Sequence, residues 1–527
     1  MHTKVRHHVS SVALVVFATA TSACGKNHSL WQRDSRDDDG KEVVATDQTA
    51  NPSREESGKS RGIPVTTSSS ENDSIAGTMP SLGPILNLDS LRDQLGLRSW
   101  QARGHRGSGV RIAILDNGFA GLEESLGKRL PPGLSVPKAP GNPESPTTHG
   151  TMLAELVHAL ATGDTSWDPA RPGPELLLLN SNGFTNFSAA VDQAIAARVD
   201  MILYSQVWEY GGNFDGRGFI NSEVDRATAA GITWVNAAGN FGLSSFSGPV
   251  VVGAGHGVIL PHEGRYVRFR VPAASGNRRL PVKIVLAWND FATVRSYRTP
   301  QDLDLVLESS AGVETAAGRL IQDGSANGGD ARFSAHAREI IRAELAPGIW
   351  HLRVDAISRN FDPDSMFRIS IDGAGVEVLD APASETILIP ADNPKVLTVG
   401  AADANFSAAS PAGASSGGTI GKPEILAPSR LRFAASTSSV DVTEIKGSSS
   451  AAAVAVATLA VWQSGTGRVF NRNEAGIRER GRENILRDVQ LGLIANPDGP
   501  RAGAAQMTVP ELELSHPSLV IGAPDRL

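Results

Sequence analysis

Cysteine occurs once in the 527 residues, at Cys24, so no disulfide can form within the chain. Positive charge is not in excess either. The net charge is −7 and arginine is scattered, which gives no basic footprint for nucleic acid. The apolar stretch of the first segment is too short for the roughly 20 residues that a membrane-spanning helix requires. What is present is ordinary: hydrophobic residues make up 40% and charged residues 20%, enough for a sizeable core. The length exceeds that of a typical domain and points to about three.

The first 24 residues have the chemistry of a signal peptide. Lys4 and Arg6 precede an apolar stretch from Val9 to Ala20, and Thr21-Ser22-Ala23 are small residues ahead of Cys24. The position of Cys24 resembles a bacterial lipoprotein signal, in which cleavage leaves a lipidated N-terminal cysteine; Thr21 stands where Leu is usual. A secretory signal with an incidental cysteine is the alternative. Both readings take the protein out of the cytoplasm, to the cell envelope or outer membrane with a lipid anchor at Cys24, or to the medium without one. Residues 25–85 are polar and broken, as in Arg33-Asp34-Ser35-Arg36-Asp37-Asp38-Asp39. They cannot bury enough apolar surface to order themselves and read as a disordered tether.

From Leu86 onward, strands and helices alternate. Ile112 to Asp116, Glu175 to Asn180, Asp200 to Ser205 and Gly231 to Val235 read as buried strands. Between them, the helix after His149 carries Leu153, Leu156, Val157 and Leu160 at helical spacing, with further helices at Phe187–Arg198 and Asn221–Ala230. Leu122 to Asn142 reads as surface loop. The pattern predicts a mostly parallel sheet with helices on both faces and ligands at the carboxyl ends of its strands.

Polar residues suited to chemistry fall at those ends. Asp116 closes an apolar strand, His149 opens a helix in Thr148-His149-Gly150-Thr151, and Asn240 follows the Trp234 strand in Ala237-Ala238-Gly239-Asn240. Gly447-Ser448-Ser449-Ser450-Ala451 sets a turn before a helix of small apolar residues. There Ser449 sits at the positive end of the helix dipole, where a developing negative charge is favoured. Each segment also has a bland reading, as an Asx turn, a helix-terminal histidine or a Ser/Ala-rich turn.

The order Asp, His, Asn, Ser resembles that of the subtilisin-like serine proteases, the subtilases. The resemblance covers most of residues 86–250 and 376–465, with Lys395 to Ala401 and Lys422 to Pro428 included. It implies a three-layer α/β fold and an exported serine endopeptidase acting on proteins or peptides. Asp116 is then the carboxylate that orients the histidine, His149 the general base, Ser449 the nucleophile and Asn240 the oxyanion donor. Ser205 is implied as the place where substrate backbone pairs. The chain departs from the family at Asn117 for Ser or Thr, at Ser448 for Thr, at Ala453 for Pro, and at Val207 for Gly. It also shows no compact inhibitory prodomain like that of many subtilases. These departures leave two alternatives: a catalytically inactive surface binding protein of the same fold, and a Ser/Lys hydrolase using Lys446. The chemistry requires no cofactor.

Between Asn240 and Ser449 the pattern changes to alternation. Val267, Phe269 and Val271 alternate with Tyr266, Arg268 and Arg270, and Phe367, Ile369 and Ile371 with Met366, Arg368 and Ser370. One apolar and one polar face predict antiparallel strands of an inserted β-sandwich or jelly roll at 250–375. This divides the catalytic domain into 86–249 and 376–527, the latter with a C-terminal extension. A charged helix at Asn473–Ile494 and two short strands in Met507–Leu527 complete the reading. The segments around Trp288, Asp302 and Trp350 resemble β-sandwich domains attached to bacterial subtilases. Asp290, Asp302 and Asp304 are candidate calcium ligands, with a solvated strand face as the alternative. The remaining histidines, among them His105, His158, His262, His336 and His351, read as surface or packing residues.

Overall fold

The structure is a computed structural model that describes residues 85–261, 264–273, 278–324, 332–380, 386–403, 422–434, 442–465 and 505–506. Cys24, the signal peptide, the tether up to residue 84, the 473–494 helix and the strands expected beyond 507 lie outside the described residues.

Seven strands form a sheet in which every pairing is parallel. Their spatial order is Ala505–Gln506, Ile425–Pro428, Leu397–Ala402, Thr233–Ala237, Met201–Tyr204, Arg111–Asp116 and Glu175–Asn180. Side chains along a strand alternate between its faces, and here both faces are covered. Ile112, Ile114, Leu178, Leu203 and Val235 join one cluster with the helices His149–Thr162 and Ser448–Gly465. Ala113, Leu115, Leu179, Ile202 and Trp234 join another with the helices Phe184–Ala196 and Phe219–Ala229. The result is the three-layer α/β arrangement that the sequence pattern predicts. Within the expected loop after Leu122, the structure forms one short helix, Leu122–Ser125.

The helix Ser448–Gly465 is buried from Ser450 through Gln463. A run of Ala and Val makes this possible, because short side chains let the helix lie close to the sheet and the His149 helix with no polar face to solvate. A separate three-stranded sheet of Leu86–Asn87, Leu431–Ala434 and Val442–Ile445 leads the chain into Gly447 and the start of that helix.

Two antiparallel sheets make up the inserted region. One holds Glu314–Gly318, Leu303–Ser309, Gly348–Ala356, Val267–Val271 and Glu377–Val378; the other holds Arg338–Leu345, Leu280–Trp288, Met366–Asp372 and Ser245–Pro249. The antiparallel region therefore begins at Ser245 and ends at Val378. Its apolar residues are continuous with the outer cluster of the parallel sheet, so the insert and the helices beside it share one core. His336 packs among Tyr210, Phe219 and Phe291 at this junction.

The strand Met366–Asp372 differs from its alternating reading. Arg368 and Ser370, expected on a polar face, are only 2% and 1% exposed. The reason is that the second face of this strand is covered as well, where Arg368 meets Phe214 and the Ile387 backbone. Arg368 meets that situation by donating from Nη1 to the carbonyl of Ile387 at 2.8 Å and placing its guanidinium 4.3 Å from the ring centre of Phe214.

Candidate active site

Asp116 is the last residue of its strand and is fully buried. A buried carboxylate needs donors to replace water. It receives three: His149 Nδ1 at 2.7 Å and Ser205 Oγ at 3.1 Å, both on Oδ2, and the Gly118 amide at 3.3 Å on Oδ1. With Nδ1 bound to a carboxylate, the imidazole carries its proton there and leaves Nε2 as the basic nitrogen.

His149 is the first residue of its helix, with its side chain 32% exposed. Burial opposes charge on the ring, but the hydrogen bond and the charge of Asp116 outweigh it and raise the pKa above the ordinary 6.5. The helix approaches the Asp116 strand closely at its start. A Cβ added to Gly150 would lie 2.6 Å from Phe119 and 2.8 Å from the Gly118 carbonyl.

The three consecutive serines occupy different surroundings. Ser448 is buried, and its amide donates to Asn240 Oδ1 at 3.1 Å. Ser450 is buried, and its hydroxyl donates to the carbonyls of Ser429 at 2.6 Å and Gly447 at 2.8 Å. Ser449 is half-buried, and its hydroxyl donates to the Ser205 carbonyl at 3.1 Å. Among the described residues it makes no hydrogen bond to His149. Gly447 permits this arrangement on two counts. Its φ of +102° lies in the left-handed region, and a Cβ there would stand 3.2 Å from the Asn240 amide nitrogen.

Hydrogen bonds thus join His149 to Asp116, Asp116 to Ser205, Ser205 to Ser449, and Ser448 to Asn240. The four residues singled out as catalytic or oxyanion groups, and Ser205, come together at the carboxyl end of the parallel sheet. Because Asn240 Oδ1 accepts from the Ser448 amide, its two N–H bonds remain available to another acceptor. The first-turn amides of the Ser448–Gly465 helix lie beside it, and such amides have no partner within the helix. The arrangement can deprotonate a hydroxyl and hold a developing oxyanion.

Among the described residues, the other sequence candidates make no hydrogen bond to this cluster. Lys446 is exposed. Asp290 accepts from Tyr297 at 2.9 Å and Thr299 at 2.5 Å, Asp302 accepts from the Gln322 amide at 3.4 Å, and Asp304 faces Arg319 at 3.7 Å. Among the described residues no group of three or more His, Cys, Asp or Glu is gathered to hold a metal ion.

Two features near the site had no sequence signal. Trp208 pairs in both directions with Ile389, its amide donating at 2.6 Å and its carbonyl accepting at 3.3 Å. Arg368 fixes Ile387 in the same segment. Both contacts join positions far apart in the chain, where spacing carries no information.

No family model matches the chain. Over 174 residues it is 30% identical to subtilisin DY of Bacillus licheniformis, covering 32% of this chain and 58% of that one. Over 163 residues it is 28% identical to subtilisin amylosacchariticus of Bacillus subtilis subsp. amylosacchariticus, covering 30% and 41%. The chain therefore spans about half the length of the curated relatives it matches. Among solved structures, the Clostridium perfringens CspB protease is similar over 80% of this chain and 97% of its own, with a TM-score of 0.44 and 15% identity.

Proposed function

We propose that this subtilisin-like chain is an exported serine endopeptidase that hydrolyses peptide bonds in proteins or peptides through an acyl-enzyme. The observation that carries the reading is the hydrogen-bonded series from His149 through Asp116 and Ser205 to Ser449, with Asn240 bonded to the amide of the neighbouring Ser448. Serine is inert at neutral pH unless a base takes its proton, and imidazole is suited to take and return one.

In the reaction, the Ser449 hydroxyl turns from the Ser205 carbonyl toward His149 Nε2. It loses its proton there as Oγ bonds to the peptide carbonyl carbon. The carbonyl oxygen becomes an oxyanion held by the Asn240 amide and the first-turn N–H groups of the helix. Collapse of this intermediate breaks the C–N bond, and the leaving amine takes the proton from His149. Water then attacks the ester with His149 again as base, releasing the acid and restoring Ser449. Asp116 stays ionised throughout, fixing the tautomer and stabilising the imidazolium.

Export rests on the charge, length and small-residue pattern of residues 1–24, and membrane attachment on lipidation of Cys24. Among the described residues no helix is long and apolar enough to cross a membrane. Mass spectrometry of the N-terminus after expression in a bacterial host tests the anchor: a diacylglyceryl mass on Cys24 supports it, and an unmodified cysteine removes it.

The chemistry is tested by a fluorophosphonate probe on the folded protein, with Ser449→Ala and His149→Ala alongside. Labelling that both substitutions abolish supports an activated serine. A folded parent that takes no label, and cleaves no protein substrate, would leave a non-catalytic binding protein of this fold.

A further inference from the structure

Substrate choice has a local physical basis beside the nucleophile. Ser449 is approached from two sides, by Ser205, whose carbonyl accepts its hydroxyl, and by Asn240, whose side chain accepts the neighbouring amide. An acyl carbon bonded to Ser449 Oγ with its oxygen at Asn240 sets the acyl residue over the two segments that carry these contacts. An acyl side chain directed between those segments meets Val207.

That space is already occupied. Val207, two residues past Ser205, lies against Gly239, one residue before Asn240; a Cβ on Gly239 would meet the two Val207 methyls at 3.4 and 3.5 Å. Val207 packs on a small apolar cluster of Ala238, Ile387 and Ala391, all at most 2% exposed and separate from the two main cores. The far wall is fixed. Ile389 is paired in both directions with Trp208, the Ile387 carbonyl accepts from buried Arg368 of the insert at 2.8 Å, and the Ala391 carbonyl accepts from Thr398 Oγ1 at 2.7 Å. The cluster is wholly apolar, and its backbone is held by hydrogen bonds on three sides, so it cannot widen cheaply for a larger guest.

We infer that Val207 is a specificity-determining residue that closes the acyl-side pocket, so that the enzyme accepts glycine or alanine as the acyl residue of the scissile bond and rejects aromatic and charged ones. This inference rests on the serine-peptidase reading and deepens it. The insert contributes through Arg368, which holds the wall against which Val207 packs. Rejection of charged side chains follows because the cluster offers them no partner.

The test compares tetrapeptide amides with one fluorogenic leaving group, differing only in Gly, Ala, Phe or Lys as the acyl residue. The full chain, Val207→Ala and Val207→Gly are assayed, each shown folded by thermal unfolding. For the parent, kcat/KM for Ala should exceed that for Phe by about 100-fold or more; Val207→Gly should shift the Phe-to-Ala ratio upward by about tenfold or more, with Val207→Ala between. A parent that cleaves Phe as readily as Ala, or a folded Val207→Gly whose ratio does not move, overturns the inference.

Fluorophosphonate labelling of Ser449, which needs no acyl side chain, separates this failure from that of the peptidase reading. A labelled enzyme indifferent to the acyl residue loses only the pocket assignment. If folded parent takes no label, calorimetric binding of the acid products ending in Ala and in Phe decides the pocket. Preference for Ala upholds its closure, and equal binding or a preference for Phe refutes it.

Discussion

At the scale of single residues, the proposed function depends on the charge state of one imidazole. The base in the proposed mechanism is neutral His149, so activity follows its unprotonated fraction. Asp116 raises the pKa of His149 above 6.5 despite the opposing effect of burial. The rise of kcat/KM with pH should therefore have its midpoint above 6.5 and flatten at higher pH, measured on a small ester or amide substrate. A rate that falls through the neutral range would remove His149 as base. Asn240 acts by another route. In the proposed mechanism its amide serves the oxyanion and not the ground state, so Asn240→Ala should lower kcat by about a hundredfold or more, the magnitude for loss of such a donor in subtilisin, with little change in KM. The same substitution also removes the acceptor of the Ser448 amide. A thermal melt alongside the kinetics distinguishes lost chemistry from a loosened turn, since an unchanged melting temperature with lowered kcat is expected.

At the scale of the element, the His149 helix carries a second histidine with the opposite environment. His158 is 2% exposed, its Nδ1 has no hydrogen-bond partner among the described residues, and burial pushes its pKa down to about 4, against a small opposing effect of Asp164. The unfolded chain binds a proton near pH 6.5 that the folded helix refuses. Above that pH both states are neutral and the helix keeps its full stability. As pH falls from 6.5 toward 4, only the unfolded state gains a proton, and stability declines by roughly 3 kcal/mol from this group. Urea unfolding at pH 7.5 and pH 4.5 should show the decline, and His158→Leu should reduce it. An equal decline in the variant would assign acid sensitivity elsewhere. The active-site helix is thus expected to weaken in acid for a reason unrelated to catalysis.

At the scale of the whole molecule, the insert and the catalytic layers share a core and a wall of the site, yet their linked protonation runs in opposite directions. In the insert, burial and then the charge of Asp302 push Asp304 up to about 7, with Asp355 adding to the effect and Arg319 and Arg353 opposing it. Asp302 itself is pushed up to about 6, mainly by burial. A carboxyl whose folded pKa exceeds its unfolded value stabilises fully below the unfolded value and loses that contribution as pH rises through the folded one. Asp304→Asn should therefore gain stability relative to the parent at pH 8 and show little gain at pH 4, read by urea unfolding at both. A gain of equal size at both pH values would mean that lost packing or hydrogen bonds, and not ionisation, govern the site.

The sequence by itself determined the layer order and the polar residues that stand at the strand ends. Buried strands ending in Asp116, Ser205 and Asn240 are legible because a parallel strand covered on both faces must be apolar along its length and change character at its end. The small-residue run after Ser449 is legible because only short side chains allow a helix buried on all sides. Alternation marked the insert for the same reason, through the two-residue period of a strand. Tertiary structure decided what local pattern cannot carry. It distinguished Ser449 from Ser448 and Ser450, since their hydrogen-bond partners come from distant segments. It buried Arg368 and Ser370, because a strand's second face is polar or covered according to what packs on it. It brought Val207, Gly239 and Ile387 together from three segments, and steric closure of a pocket depends on distances that exist only once the chain is folded.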